Sequence, residues 1–130
     1  MGSGVRPTTR ATPQRIGQRA EQVAADYYHL LGHEILGRNV RLGHLEIDLV
    51  TRRRELLVVV EVRARGPGSY VSAFGSLNGA KMRRLRTAAQ RLWRRWEHDP
   101  SVRRIRLDVA AVDLWSPAVT IEVAEAIPLG

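Results

Sequence analysis

Residues 45–65, LEIDLVTRRRELLVVVEVRAR, place the tightest limit on how this chain can fold. They read as two strands, Leu45 to Thr51 and Leu56 to Arg63, joined by a tight charged turn. Centring that turn between Arg54 and Glu55, whether the loop has two residues or four, sets Asp48 opposite Glu61 and Glu46 opposite Arg63. Alternation then gathers Glu46, Asp48, Glu61 and Arg63 into one polar patch at the end of the hairpin away from its turn, and sends Ile47, Leu49, Val60 and Val62 to the other face. A carboxylate within a strand core is costly unless a positive partner compensates it. Two partners fit the pattern: an arginine, with Glu46 and Arg63 as a cross-strand ion pair, or a metal ion. Opposed residues lie roughly 4.5–5.5 Å apart at Cβ, so Asp48 and Glu61 can hold one divalent ion between them. Without a cation their charges repel, and one tends to keep a proton. Two carboxylates suit a hard ion such as Mg²⁺ better than Zn²⁺, which favours His or Cys.

The rest of the chain supplies cover for this hairpin. From about Gln14 to Leu31, apolar and small residues recur at Ile16, Ala20, Val23, Ala24, Tyr27, Leu30 and Leu31 with helical spacing, and Gly32 ends the pattern. HEILGRNVR, 33–41, predicts a first, partly exposed strand. RARGPGSYVSAFGS, 63–76, predicts a loop crossing to a second helix from about Asn78 to Trp96, with Leu85, Ala88, Ala89, Leu92 and Trp96 on its apolar face. Arg103 to Leu114 reads as a buried strand, and Val119 to Ala124 as a last edge strand. The order α-β-β-β-α-β(-β) defines an α/β fold. At 130 residues the chain fits one core, with residues 1–13 as a flexible tail and 14–130 as a single domain.

Charge narrows the partners. The 21 basic residues are 20 arginines and one lysine, Lys81, and the net charge of +8 favours a polyanion, above all nucleic acid. Away from its apolar face the second helix carries Arg84, Arg91 and Arg95, a row able to track a phosphate backbone or simply to solvate the surface. Lys81, just inside that helix, is suited to the same two uses. Trp93 and Trp96 have the alternatives of stacking on bases or lying in the core. Absent cysteine excludes disulfides, thiolate metal sites and cysteine nucleophiles. No apolar run reaches 18 residues and no secretory signal is evident, so a cytoplasmic protein without a membrane segment is expected. His29 and His33 have i, i+4 spacing, but Gly32 breaks the helix between them and no further zinc ligand follows. Asp108, in a buried strand, is expected to sit in a structural salt bridge.

Several blocks in order, Glu21 in the first helix, LGHEILGRNVR, LEIDLV, VVVEVRAR, AFGS, KMRRLRTAAQRLW and RLDVAAV, resemble the YraN-like family of uncharacterised bacterial proteins, UPF0102, along Ile16 to Val112. That family is similar in turn to Holliday junction resolvases and other PD-(D/E)xK nucleases. The resemblance implies a restriction endonuclease-like three-layer fold, a mixed sheet flanked by helices. It implies that Asp48 and Glu61 bind Mg²⁺ or Mn²⁺, that Glu21 is an auxiliary acid, and that Arg63 stands where the motif usually has lysine. Leu45 stands where glycine usually precedes Glu-Ile-Asp, which implies a more crowded site mouth. The implied activity is metal-dependent endonucleolytic hydrolysis of DNA, with branched DNA among the candidate substrates, in repair or recombination. Arg65, Lys81, Arg84, Arg91 and Arg95 would lie on the nucleic acid, and a two-fold homodimer is the assembly to test. Arginine can hold a phosphate but cannot act as a base. A weak or inactive nucleic-acid-binding accessory protein of the same fold is therefore the alternative, and a purely structural interaction domain the third reading.

Overall fold

The computed structural model describes residues 12–65, 75, 77–115 and 117–128. Most of the expected tail and of the expected crossing loop lies outside the described residues. Helix α1, Pro13–Leu30, opens where proline needs no N–H partner, and the Thr12 side chain caps it by accepting the Arg15 N–H at 3.1 Å. The helix thus begins at Pro13, inside the stretch expected as tail. Its end is fixed by Gly32, at φ +88°, with the His33 N–H donating to the Tyr28 carbonyl at 2.9 Å.

Strands β1 (Glu34–Leu42), β2 (Leu45–Arg53) and β3 (Leu56–Arg65) follow, then helix α2 (Gly79–Trp96), β4 (Arg104–Asp113) and β5 (Thr120–Pro128). They form one mixed sheet in the order β1-β2-β3-β4-β5, with β3 and β4 parallel and the other neighbours antiparallel. The strand β3–α2–β4 connection is what a parallel pair requires. Helix α1 covers one face, where Ala24, Ala25 and Tyr28 pack on Leu49, Val58, Val60 and Ala110. Helix α2 covers the other, with Leu85, Ala88, Ala89 and Leu92 on Ile47, Val50, Leu57, Val59, Ile105 and Leu107. The fold is therefore the expected three-layer α/β arrangement. Burial on both faces explains why β3 reads as an unbroken apolar run: Val58, Val59 and Val60 are all fully buried.

Two expectations change. The last strand is longer than Val119 to Ala124, because β5 pairs along β4 from Asp113↔Thr120 to Arg106↔Pro128, and a proline is tolerated at a strand terminus. The expected apolar face of the hairpin holds for Leu49, Val60 and Val62, whereas Ile47 packs in the α2-side core. The pairs Arg38↔Leu49 and Val40↔Ile47 leave Asn39 facing Asp48, and Asn39 has a left-handed backbone at φ +49°. The alternation of β2 changes sides at that irregularity. Trp93 and Trp96 also pack partly into the α2-side core, and Arg52 lies over the Trp96 ring at 5.8 Å. Among the described residues no helix is long and apolar enough to cross a membrane.

Candidate active site

The hairpin has the expected register. Its pairs run from Arg53↔Leu56 at the turn to Leu49↔Val60, and one further step sets Asp48 opposite Glu61. The ladder ends there, and the Asp48 side chain takes over: its Oδ2 accepts the Val62 N–H at 2.8 Å. Asp48 is thereby held beside β3. Glu61 points into the layer covered by α2 and is 4% exposed. Its Oε2 meets two cations, Arg63 Nη1 at 3.6 Å from the same strand and Lys81 Nζ at 3.5 Å from the first turn of α2. That turn is held by the Asn78 side chain, which accepts the Lys81 N–H at 2.8 Å.

Burial pushes the Glu61 carboxyl up to about 7; the Asp48 charge and a hydrogen bond shared with Asp48 add to the rise, against the pull of Lys81 and Arg63. The pair therefore tends to hold a proton near neutrality. Glu21 reaches the same group from α1. Burial raises its carboxyl above the ordinary range, with Asp48 and then Glu46 adding to the rise, while Asn39 and Arg38 oppose it. Glu46 itself is tied to Arg41 at 3.7 Å on the exposed surface. Glu21, Asp48, Glu61 and Arg63 thus gather where the β2–β3 ladder ends, and Lys81 joins them.

The expected nucleic-acid residues are spread more widely. Arg84 and Arg91 line a groove of about 360 Å³ with His44, Leu45, Ala80, Arg83 and Thr87, directly beside the turn that carries Lys81. Arg91 also donates to the Leu42 carbonyl at 3.1 Å, an approach that Gly43 leaves open. Arg65 lies 3.5 Å from Glu122 on β5. Arg95 is exposed and sits 14 residues beyond Lys81, about 21 Å along the helix. Leu45 is 8% exposed and packs in the α2-side core, so the crowding expected at the site mouth is largely taken up by the interior.

On the α1 side of the sheet, level with Val60, Asp108 is fully buried, bound by Arg106 at 2.8 and 2.9 Å and by the Tyr28 hydroxyl at 2.7 Å. This is the expected structural salt bridge. It lines a cavity of about 520 Å³ with His33, whose Nδ1 is hydrogen-bonded to Thr51 at 3.0 Å, while His29 is exposed in the last turn of α1. The two histidines are thus separately accounted for. Sequence reasoning missed two residues of the acid site: Asn39, whose Asn-favoured left-handed backbone was the available signal, and Lys81 as a partner of Glu61.

A three-layer α/β domain with a pair of acids where its β2–β3 ladder ends is the class these observations define. Residues 20–112 match the family described as "Uncharacterised protein family UPF0102", and the chain belongs to that family. A UPF0102 protein of Sorangium cellulosum is 40% identical over 128 residues, spanning 97% of this chain and 88% of the relative. One from Acidovorax sp. is 42% identical over 106 residues, spanning 78% and 77%, and one from Renibacterium salmoninarum is 41% identical over 101, spanning 78% and 84%.

Proposed function

We propose that the protein is a metal-dependent endonuclease that hydrolyses phosphodiester bonds in DNA. The observation that carries this reading is the convergence of Asp48 and Glu61 under Arg63 and Lys81, with Glu21 alongside, in a strongly basic chain. The donor set fits Mg²⁺ or Mn²⁺, because it offers carboxylate oxygens and no nitrogen or sulfur ligand. Among the described residues no group of three or more His, Asp or Glu is close enough to form a metal cage. Two carboxylates would thus leave most ligand positions to water and substrate phosphate, the habit of Mg²⁺. Asp48 and Glu61 would hold the ion, which when bound would polarise the phosphate and activate a water. Asp48 is oriented by the Val62 N–H. Arg63 would bind a phosphate oxygen as a fork, and Glu21 would hold a water or a proton at the rim. The groove of Arg83, Arg84 and Arg91 would guide the backbone of the nucleic acid toward the acids.

A second reading, a binding protein of the same fold with little or no turnover, is favoured by one observation: Glu61 already has two cationic partners of the protein's own. The deciding experiment is cleavage of labelled linear, single-stranded and four-way-junction DNA with Mg²⁺ or Mn²⁺, for the wild type, Asp48→Ala and Arg63→Lys. Metal-dependent cutting lost in Asp48→Ala supports the nuclease. Binding without cutting by the wild type, restored by Arg63→Lys, means a site silenced at one residue; no cutting by either leaves the binding protein. Preference for the junction would make a two-fold dimer the working form, to be measured by sedimentation.

A further inference from the structure

Lys81 is the chain's one lysine among 21 basic residues. Arginine fills the other cationic roles seen in the fold. It pairs with carboxylates at Arg65, Arg104 and Arg106, donates to a carbonyl at Arg91, and stacks on a ring at Arg52. It even supplies the second cation on Glu61, through Arg63. The exception stands with its Nζ 3.5 Å from the same Glu61 oxygen, on a helix turn anchored by Asn78. Its side chain is 33% exposed, so it is neither sealed in the core nor freely solvated.

The two cations offer different chemistry. A guanidinium is a rigid planar fork that does not give up a proton in proteins, whereas an ammonium is a compact point charge with three rotatable donors. Beside the acid pair, the ammonium can turn a donor toward a small group by rotation alone, whereas the fork of Arg63 must move as a plane. We propose that Lys81, rather than Arg63, is the positioning residue of the acid pair: its ammonium is the resident counter-ion of Glu61 and the donor that fixes a water or phosphate oxygen there. This rests on reading Asp48 and Glu61 as the working acids.

The test uses the full chain with Lys81→Met, Lys81→Arg and Arg63→Met. Mn²⁺ affinity is measured by calorimetry at pH 8.5, and cleavage of labelled DNA is followed with Mn²⁺ in parallel. Removing a fixed positive charge beside the ligand should tighten Mn²⁺ binding roughly tenfold in Lys81→Met. Cleavage should fall on the order of a hundredfold in the same variant, without rescue in Lys81→Arg and with a smaller loss in Arg63→Met. Tighter metal with slower cutting is a combination that damage to folding would not give. If the wild type cuts and Lys81→Met matches it in both measurements, the assignment of Lys81 is overturned while the nuclease stands. If nothing cuts but Lys81→Met still tightens Mn²⁺ binding, the nuclease falls and Lys81 keeps its place as counter-ion; if Mn²⁺ binds to neither protein, both are overturned.

Discussion

Glu61 carries an acid's ordinary chemistry into an interior that resists its charge. Its carboxyl moves from an ordinary 4.5 up to about 7 on folding, first through burial and then through Asp48. Between those pH values the folded chain holds a proton that the unfolded chain has released, so this group's contribution is most favourable below pH 4.5 and is lost as the pH rises through 7. The full loss is roughly 3 kcal/mol. Glu61→Gln should therefore leave the melting temperature nearly unchanged at pH 5 and raise it by several degrees at pH 8; an equal shift at both values in paired thermal melts would refute this. The same penalty can be relieved by a cation. At pH 8, Mn²⁺ should raise the melting temperature of the wild type and do so far less for Asp48→Ala, as read by the same melts with and without chelator. Asp108 is the opposite case, a buried charge whose partners are all protein. Asp108→Ala takes away the nearer carboxylate of the Arg106 guanidinium, leaving it Glu125 at 3.5 Å, and should cost about 3 kcal/mol, whereas Tyr28→Phe removes one hydrogen bond and should cost about 1–3 kcal/mol, both measurable by urea unfolding.

Among the elements, those that rest on local signals are legible in the amino-acid sequence. Both helix spans lie within one or two residues of their expected bounds, because apolar spacing and a terminal glycine or Asn cap act over a few residues. The hairpin register is legible for the same reason: the turn fixes it, even though Arg54, at φ +55°, is not a residue that advertises such a turn. What depends on contacts between distant segments is not legible. Nothing local says that Ile47 packs toward α2, that β5 runs on to Pro128, or that Lys81 lands on an acid 20 residues earlier in a different layer. Asn78 links the two kinds of information, since its cap is local and the lysine that it anchors acts at long range. Asn78→Ala should cost about 1 kcal/mol in urea unfolding and slow DNA cleavage by more than that loss accounts for, because it loosens the turn that presents Lys81. A cleavage rate unchanged in a folded Asn78→Ala protein would separate the cap from the site.

At the scale of the whole molecule, the proposed function together with 20 arginines and a net charge of +8 predicts a DNA affinity that falls steeply with salt. Arg84→Ala, in the groove beside the acids, should weaken binding to all sequences alike and lower the slope of log affinity against log salt by about 1, as measured by fluorescence anisotropy. The sheet's topology adds a constraint on how such a site comes to exist. The β2–β3 hairpin closes through two residues, so Asp48 and Glu61 can meet while both are still in water. Strand β3 finds its parallel neighbour only across a separation of 48 residues, from Leu56 to Arg104, a slow closure that docks the connecting helix α2 on one face of the sheet. Helix α2 is what carries Lys81 to Glu61. The closure that seats this helix therefore brings the buried carboxylate a second cation, added to the Arg63 that its own strand supplies from the start.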